Sequence, residues 1–267
     1  MVYKPQLEEV SRHIDYYWVL DSFDGLTING KYMYAYPGIT PDMVIVLEGT
    51  YTMTYMGKTL NSNRCLLFSF IHHKVHIDFS NLKRCIIVKF KSRGLSSLKP
   101  FLNVDAETLM KSSVAFVDDI FGKNFGLLRS HLKTLGPESQ IKALDQWFAS
   151  RHQKLNEGFV VEMTQEVSDD FDLKPIIKAT GYSYFTLERY YKNETGLTPK
   201  GFQTLRRFKR AIRELQTTKN TDWQYYVNQF GYYDQSHFIK EIKRYTGRTP
   251  SALIHIPSFI EVRPEYF

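Results

Sequence analysis

The sequence contains little cysteine and no long apolar run. Cys65 and Cys85 are the only two cysteines among 267 residues, which excludes a disulfide framework and a cysteine-rich zinc site. No stretch approaches the roughly 18 apolar residues of a membrane helix. The first residues, MVYKPQLEEV, carry charges and a proline where a signal peptide has an apolar core. We therefore expect a soluble, cytoplasmic protein without a membrane partner, with both thiols reduced and placed in strands.

Hydrophobic residues make up 43% of the chain and aromatic residues 15%, which is enough for packed cores and excludes intrinsic disorder. The positive charge is segregated. Residues 171–256 contain 15 Lys/Arg and 7 Asp/Glu, a balance of +8, whereas the rest contains 20 and 21, a balance of −1. This segregation predicts one module that meets a polyanion and another that does not.

Short strand patterns dominate residues 16–90. The alternating segment GTYTMTYMGKTL breaks at Met56-Gly57-Lys58, and RCLLFSFIHH and RCIIVKFK are short runs with polar boundaries. This spacing favours a β-sandwich or a small barrel. After Pro100 the period becomes helical, and four apolar residues form one stripe that either covers the sheet core or meets a second subunit. These residues are Ile141, Leu144, Trp147 and Phe148.

The C-terminal third contains an internal duplication. Gly181-Tyr182 recurs as Gly231-Tyr232, and Gly196-Leu-Thr198-Pro199 recurs as Gly247-Arg-Thr249-Pro250. Ser183, Thr221 and Asp234 stand where helix N-caps belong, and glycines stand where helices end. The pattern predicts two helix-turn-helix units.

The second helix of each unit has a predicted inner and outer face, at about 100° per residue. The inner residues are Leu187 and Tyr191 in the first copy and Phe238, Ile242 and Tyr245 in the second. The outer residues are Phe185, Arg189 and Lys192 in the first copy and Ser236, Lys240 and Lys243 in the second. An outward ring beside a guanidinium suits a major groove, where the ring meets a thymine methyl and the guanidinium forks onto guanine. The alternative is a solvated basic face.

Residues 199–216, PKGFQTLRRFKRAIRELQ, predict one helix between the two copies. Pro199 suits a first helical turn. The helix would span roughly 27 Å, which suits a strut that holds two helices in successive major-groove segments about 34 Å apart. Its apolar stripe consists of Phe202, Leu205, Phe208, Ile212 and Leu215.

Residues 173–253 resemble the DNA-binding domain of the AraC/XylS family of bacterial transcription regulators. The resemblance is carried in the second copy by Gly231-Tyr232-x-Asp234-Gln235-Ser236-His237-Phe238 with Lys243, Gly247 and Thr249-Pro250. In the first copy it is carried by Ser183, Leu187-x-Arg189, Lys192, Gly196 and Thr198-Pro199. Three positions depart from the family pattern: Ile177 and Val227 stand where a small alanine is usual, and Lys240 stands where a forked arginine is common.

The resemblance implies an α+β protein with two domains. Residues 1–155 would form a sensor or dimerisation domain with a cupin-like β-barrel and C-terminal helices. Residues 156–267 would form the DNA-binding domain, with helix-turn-helix units at about 172–195 and 221–246.

The resemblance also implies a sequence-specific transcription regulator and not an enzyme, with no catalytic residue, metal or cofactor. Its partners would be double-stranded DNA, a small-molecule effector, a second copy in a homodimer and, for an activator, RNA polymerase. The implied DNA-binding residues are Tyr184, Phe185, Thr186, Arg189, Lys192, Gln235, Ser236, His237, Lys240 and Lys243.

The alternative function is a metal-dependent cupin-type enzyme with an appended DNA-binding module. His72, His73 and His76 suggest it, although on a strand His73 would face away from the other two. Adjacent Ser236 and His237 diverge by roughly 100° in a helix, so they do not form a nucleophile and its base.

Two further features stay open to more than one interpretation. A DNA-repair methyl transferase would need a reactive cysteine, which the two cysteines in apolar runs do not resemble. An aromatic cluster either lines a ligand pocket or builds a core. It consists of Tyr16, Tyr17, Trp18, Tyr32, Tyr34 and Tyr36.

Overall fold

The computed structural model describes residues 1–20, 32–35, 40–69, 75–91, 94–103, 114–151, 174–195 and 197–255. Strands occupy its N-terminal part and helices its C-terminal part, which confirms the predicted α+β class. The predicted domain boundary after residue 155, and His72 and His73, lie outside the described residues. In the part of the chain that is described, no helix is both long and apolar enough to cross a membrane.

The strands form two antiparallel sheets. They are β1 (Val2–Tyr3), β2 (Ile14–Leu20), β3 (Tyr32–Ala35), β4 (Asp42–Gly49), β5 (Tyr51–Tyr55), β6 (Lys58–Ser62), β7 (Leu66–Phe68), β8 (Val75–Asp78), β9 (Leu82–Phe90) and β10 (Val114–Phe116). The larger sheet has the order β1-β2-β9-β4-β7-β10, and the smaller sheet has the order β3-β8-β5-β6. The hairpin β5–β6 turns at Met56 and Gly57, which both have positive φ, at the predicted break.

The central strands β2, β4 and β9 are almost continuously buried. Such runs lack alternation because both faces of a core strand are covered. Buried residues of the two sheets belong to one hydrophobic cluster, which also contains the rings of Tyr16, Tyr17 and Trp18. These three aromatic residues therefore build the core.

Helices pack against the larger sheet. They are α1 (Glu8–Ser11), a 3-10 helix (Gly94–Phe101), α2 (Val117–Phe121), α3 (Lys123–Leu132) and α4 (Pro137–Ala149). The predicted stripe on α4 is buried, and its Phe148 ring meets Phe90 of β9 edge-on with 5.8 Å between ring centroids. The stripe therefore covers the sheet core of its own chain, which is the first of the two predicted uses.

Both cysteines are free and buried. Cys85 lies in β9 as predicted, but the prediction of a strand was wrong for Cys65, which directly precedes β7. Strand pairing of the run RCLLFSF begins at Leu66, which pairs with Phe116, because the next residue, Val117, already begins a helix.

A buried carboxylate joins α4 to the N-terminal segment. Asp145 accepts a hydrogen bond from the Tyr17 hydroxyl at 2.6 Å and others from the backbone N–H groups of Gln6 and Leu7 at 2.5 and 3.0 Å. Burial, and then the hydrogen bond to Asp145, raise the pKa of Tyr17 well above its usual range. Three donors thus satisfy a charge that would otherwise be costly to bury.

The C-terminal helices are α5 (Lys174–Thr180), α6 (Tyr184–Thr195), α7 (Pro199–Thr218), α8 (Trp223–Phe230), α9 (Gln235–Thr246) and α10 (Pro250–Leu253). The predicted apolar stripe of α7 is buried along its whole length. Its N-terminal half meets the first unit, with 5.9 Å between the rings of Phe202 and Tyr191. From Phe208 onward, α7 meets the second unit, with 4.7 Å between the rings of Phe208 and Tyr245.

We predict that Asp145→Asn destabilises the protein, because an amide offers one acceptor oxygen where three donors converge. The free energy of unfolding should fall by about 2 kcal/mol, measured by urea unfolding followed through tryptophan fluorescence. The matched control is Asp15→Asn, which removes an exposed ion pair with Lys4 and should cost less than about 1 kcal/mol. Equal costs for the two variants would contradict the role given to Asp145.

Candidate nucleic-acid interface

The two helix-turn-helix units share one turn geometry. Gly181 and Gly231 both have φ of 69°, a left-handed conformation that glycine adopts without steric cost. After the turn, the Ser183 hydroxyl accepts from the N–H of Thr186 at 3.2 Å, and the Asp234 carboxylate accepts from the N–H of His237 at 2.7 Å. The helices α6 and α9 therefore begin in the same way, with the caps that the sequence predicts.

The Thr-Pro pairs of the two copies are also equivalent. Thr198 caps α7 and Thr249 caps α10, and a proline occupies the first helical position after each. The predicted cap Thr221 is wrong. Asp222 caps α8 instead, since its carboxylate accepts from the N–H of Gln224 at 3.0 Å and its charge is favoured at a helix N-terminus.

The predicted inner and outer faces of α6 and α9 agree with the burial of their side chains. Leu187, Tyr191, Phe238 and Ile242 are fully buried, whereas Phe185 is 80% exposed. The other expected contact residues are exposed, apart from Thr186 and His237, which are half-buried. The exposed set consists of Tyr184, Arg189, Lys192, Gln235, Ser236, Lys240 and Lys243.

Exposed aromatic rings are concentrated where α6 and α9 begin. Besides Tyr184 and Phe185, the turn residues Tyr182 and Tyr233 are exposed, Tyr233 by 90%. The sequence reasoning assigned no contact to these two tyrosines. Their position in turns next to the N-terminal ends of the second helices could have indicated that they are exposed, because little apolar surface lies there to cover a ring.

The outer face of α6 carries its charge in exposed groups. Lys192 pairs with Glu188 one turn earlier at 2.9 Å, and the Arg189 guanidinium lies 5.8 Å from the ring centroid of Tyr190. Because Lys192 is exposed and Glu188 is only half-buried, this pair contributes less than about 1 kcal/mol. A phosphate could therefore replace Glu188 as the partner of Lys192 at little cost.

An ion pair between half-buried Arg207 and buried Glu241 attaches α7 to the second unit. Arg207 of α7 meets Glu241 of α9 with both edges of its guanidinium, Nε to Oε1 at 3.2 Å and Nη2 to Oε2 at 2.5 Å. The same guanidinium donates to the carbonyl of Gly231 at 3.5 Å and lies 4.5 Å from the ring centroid of Tyr232. Arg207 thus contacts both the turn and the second helix of the unit.

The electrostatics of this pair follow from its burial. Burial lowers the pKa of Arg207, but the hydrogen bond and the charge of Glu241 outweigh this effect, so the net shift of that pKa is upward. Burial, and then the charge of Glu241, raise the pKa of Tyr232. Arg207 therefore keeps its charge, and the Tyr232 phenol beside it stays neutral.

His237 is held against the turn. Its Nδ1 accepts from the N–H of Tyr233 at 3.3 Å, and its Nε2 lies 3.7 Å from Glu241 Oε2. Neighbouring Ser236 is the preceding residue of the same helix, so the two side chains diverge by roughly 100°. His76 lies on β8, and among the described residues no three His, Cys, Asp or Glu side chains are grouped to hold a metal ion.

We predict that Arg207→Met destabilises the protein by about 3–5 kcal/mol, because it leaves the carboxylate of Glu241 buried without its partner. Thermal unfolding of the full chain measures the effect. The double variant Arg207→Met/Glu241→Met should recover much of the loss, since neither charge then remains buried. A double variant as unstable as the sum of the two single variants would contradict this account.

Comparison with known proteins shows what the C-terminal region is similar to. Residues 176–255 match a family model described as a helix-turn-helix domain. Regulatory protein SoxS of Escherichia coli K12 is 27% identical over 104 residues, which is 39% of this chain and 96% of SoxS. SoxS of the Escherichia coli strains CFT073 and O157:H7 matches with the same values.

Solved structures of ToxT from Vibrio cholerae are similar over most of the chain. One covers 90% of this chain and 97% of its own length at 12% identity, with a TM-score of 0.47. A second, with a bound unsaturated fatty acid, has 14% identity and a TM-score of 0.46, and covers 92% and 96% of the two chains.

The duplicated turns, the Thr-Pro caps, the match to the helix-turn-helix domain and the similarity to SoxS agree. The domain at residues 176–255 is similar to that of SoxS, which supports a DNA-binding transcription regulator of the AraC/XylS type.

Proposed function

We propose that the chain regulates transcription by placing α6 and α9 in successive major-groove segments of one DNA duplex. The observation that carries this proposal is that two units pack on the single helix α7 and repeat the same features. Each unit has the same turn geometry, a capped second helix and an exposed outer face on that helix. At about 1.5 Å per residue, the 20 residues of α7 span roughly 30 Å. This length is close to the separation of about 34 Å between major-groove segments on one face of a duplex.

In the first unit, we assign base contacts to Phe185 and Arg189. The exposed ring can meet a thymine methyl, and the guanidinium can fork onto guanine. Tyr184 and Thr186 lie beside them at the start of α6, and Lys192 lies one turn further along, where it suits a phosphate.

In the second unit, we assign contacts to exposed polar groups. Ser236 and Lys240 stand where the first unit has Phe185 and Arg189, and Lys243 corresponds to Lys192. The ammonium of Lys240 cannot make the bidentate contact with guanine that an arginine makes. This unit therefore contributes mainly affinity, through phosphates, and Lys240 adds little base specificity. Gln235 is a further base contact, and His237 is a neighbour that holds the turn.

The N-terminal domain, residues 1–155, is proposed to sense a small molecule, to form a homodimer, or both, upstream of a DNA-binding domain at residues 156–267. Binding of an effector changes transcription only if the effector favours one arrangement of the two domains over another. RNA polymerase is a further partner if the protein is an activator. A DNA partner in a bacterium implies a cytoplasmic location.

We further propose that the protein acts without enzymatic chemistry of its own. In support, Cys65 is buried, and this burial raises the pKa of its thiol to about 11, so the thiolate that a DNA-repair methyl transferase needs is scarce at neutral pH. The His237 imidazole accepts from the backbone N–H of Tyr233, and the Ser236 side chain is exposed.

We predict that Arg189→Ala weakens binding to a duplex selected from a random pool by about 10- to 100-fold and relaxes base preference in one half of that site. Fluorescence anisotropy titration of the full chain against single-base-pair variants measures both effects. Arg189→Lys, which keeps the charge and loses the fork, should retain affinity for random DNA but not the base preference.

Equal losses of affinity for the selected duplex and for random duplexes would show that Arg189 contacts phosphate only. Lys243→Ala provides the contrasting case. It should weaken binding to all duplexes alike and make the logarithmic salt dependence shallower by about one unit.

A further inference from the structure

A chain of three side-chain amides crosses from α8 to α9 at the exposed surface of the second unit. The Gln235 amide nitrogen donates to the Gln224 amide oxygen at 3.3 Å, and the Gln224 nitrogen donates to the Asn228 oxygen at 3.1 Å. All three residues are exposed. Neither Gln224 nor Asn228 belongs to the second helix of the unit, where base contacts are expected.

The packing beneath these amides fixes the distance between their helices. The ring of Tyr226 on α8 stacks on the ring of Phe238 on α9, with 5.0 Å between centroids and 7° between planes. The cap at Asp222 fixes the start of α8 at the same end, through the N–H of Gln224. The backbones that carry the three amides are therefore preorganised, which lowers the entropy lost when the amides bind a ligand.

The direction of the hydrogen bonds decides which groups remain for DNA. A glutamine amide has two N–H donors and one acceptor oxygen. Gln235 uses one N–H on Gln224, so one N–H and the oxygen remain. Asn228 accepts within the chain of amides and keeps both N–H donors, the groups that suit a phosphate oxygen.

We propose that Gln224 and Asn228 are positioning residues that orient the Gln235 amide to select adenine over guanine in the major groove. Adenine presents one acceptor, N7, and one donor, the N6 amino group, which match the remaining N–H and oxygen of Gln235. Guanine presents two acceptors, N7 and O6, and would need both N–H groups. The proposal deepens the proposed function and rests on it.

The test uses the full chain and a duplex selected from a random pool, with fluorescence anisotropy as the readout. Gln235→Ala first identifies the base pair that Gln235 contacts, as the position where the preference for adenine disappears. Gln224→Met should then lower the preference for adenine over guanine at that position on the order of tenfold. Binding to random DNA should stay within about twofold, because no phosphate contact is lost.

Three further variants separate positioning from other roles. Gln224→Glu keeps an acceptor for the Gln235 N–H, so it should retain the adenine preference while its charge weakens binding to every duplex alike. Gln224→Met added to Gln235→Ala should cause no further loss of preference, because the amide to be positioned is gone. Gln229→Met, on the exposed surface of the same helix, is the matched control and should not change the preference.

Distinct results overturn the two proposals. If the wild-type chain shows no preference among duplexes, the proposed function fails. If the wild-type chain has a preference but Gln235→Ala removes none of it, or Gln224→Met leaves the adenine preference intact, the positioning role alone fails. The positioning role would also be contradicted if Gln224→Met caused the same loss of adenine preference in the wild-type chain and in the Gln235→Ala variant.

Discussion

The burial of one face of α7 is the constraint on which the C-terminal region depends. The paired helices of each unit are short, with 7 and 12 residues in the first and 8 and 12 in the second. Helices of this length are marginal on their own in water. Both units bury their apolar faces against α7, the first around Phe202 and the second around Phe208. Because both units pack on one helix, its length and twist set the relative placement of α6 and α9.

The two units use this common frame for different chemistry. The first presents aromatic rings and a guanidinium at the start of α6, and the second presents amides and lysines at the start of α9. The second unit is also tied to α7 by Arg207, which contacts both Glu241 and the carbonyl of Gly231. A duplicated fold thus carries two unequal surfaces, one suited to apolar and forked contacts and one suited to phosphates and a single oriented amide.

Much of this region could be predicted from the sequence because its signals are local. The cap at Asp234, the Thr-Pro starts of α7 and α10 and the inner face with Phe238 each depend on residues within two helical turns. The error at the start of α8 is also local, because Thr221 and Asp222 are adjacent cap candidates. Only the geometry shows which side chain reaches the N–H of Gln224.

Contacts between distant residues could not be predicted. Tyr17 and Asp145 lie 128 residues apart, and Arg207 and Glu241 lie 34 residues apart, so no periodicity relates them. The strand order β2-β9-β4-β7 could not be predicted either, because it depends on how strands distant in sequence pack into one core. The amide chain from Gln235 to Asn228 depends on how α8 crosses α9, and that crossing is set by the stacked rings of Tyr226 and Phe238.

The central claim is that α7 places both units on one face of the same duplex. Hydroxyl-radical footprinting of the full chain on a selected duplex tests it most directly. The account predicts two protected segments whose centres lie about 10 base pairs apart on one face of the DNA. A single protected segment, or two segments whose separation varies from one selected sequence to another, would contradict it.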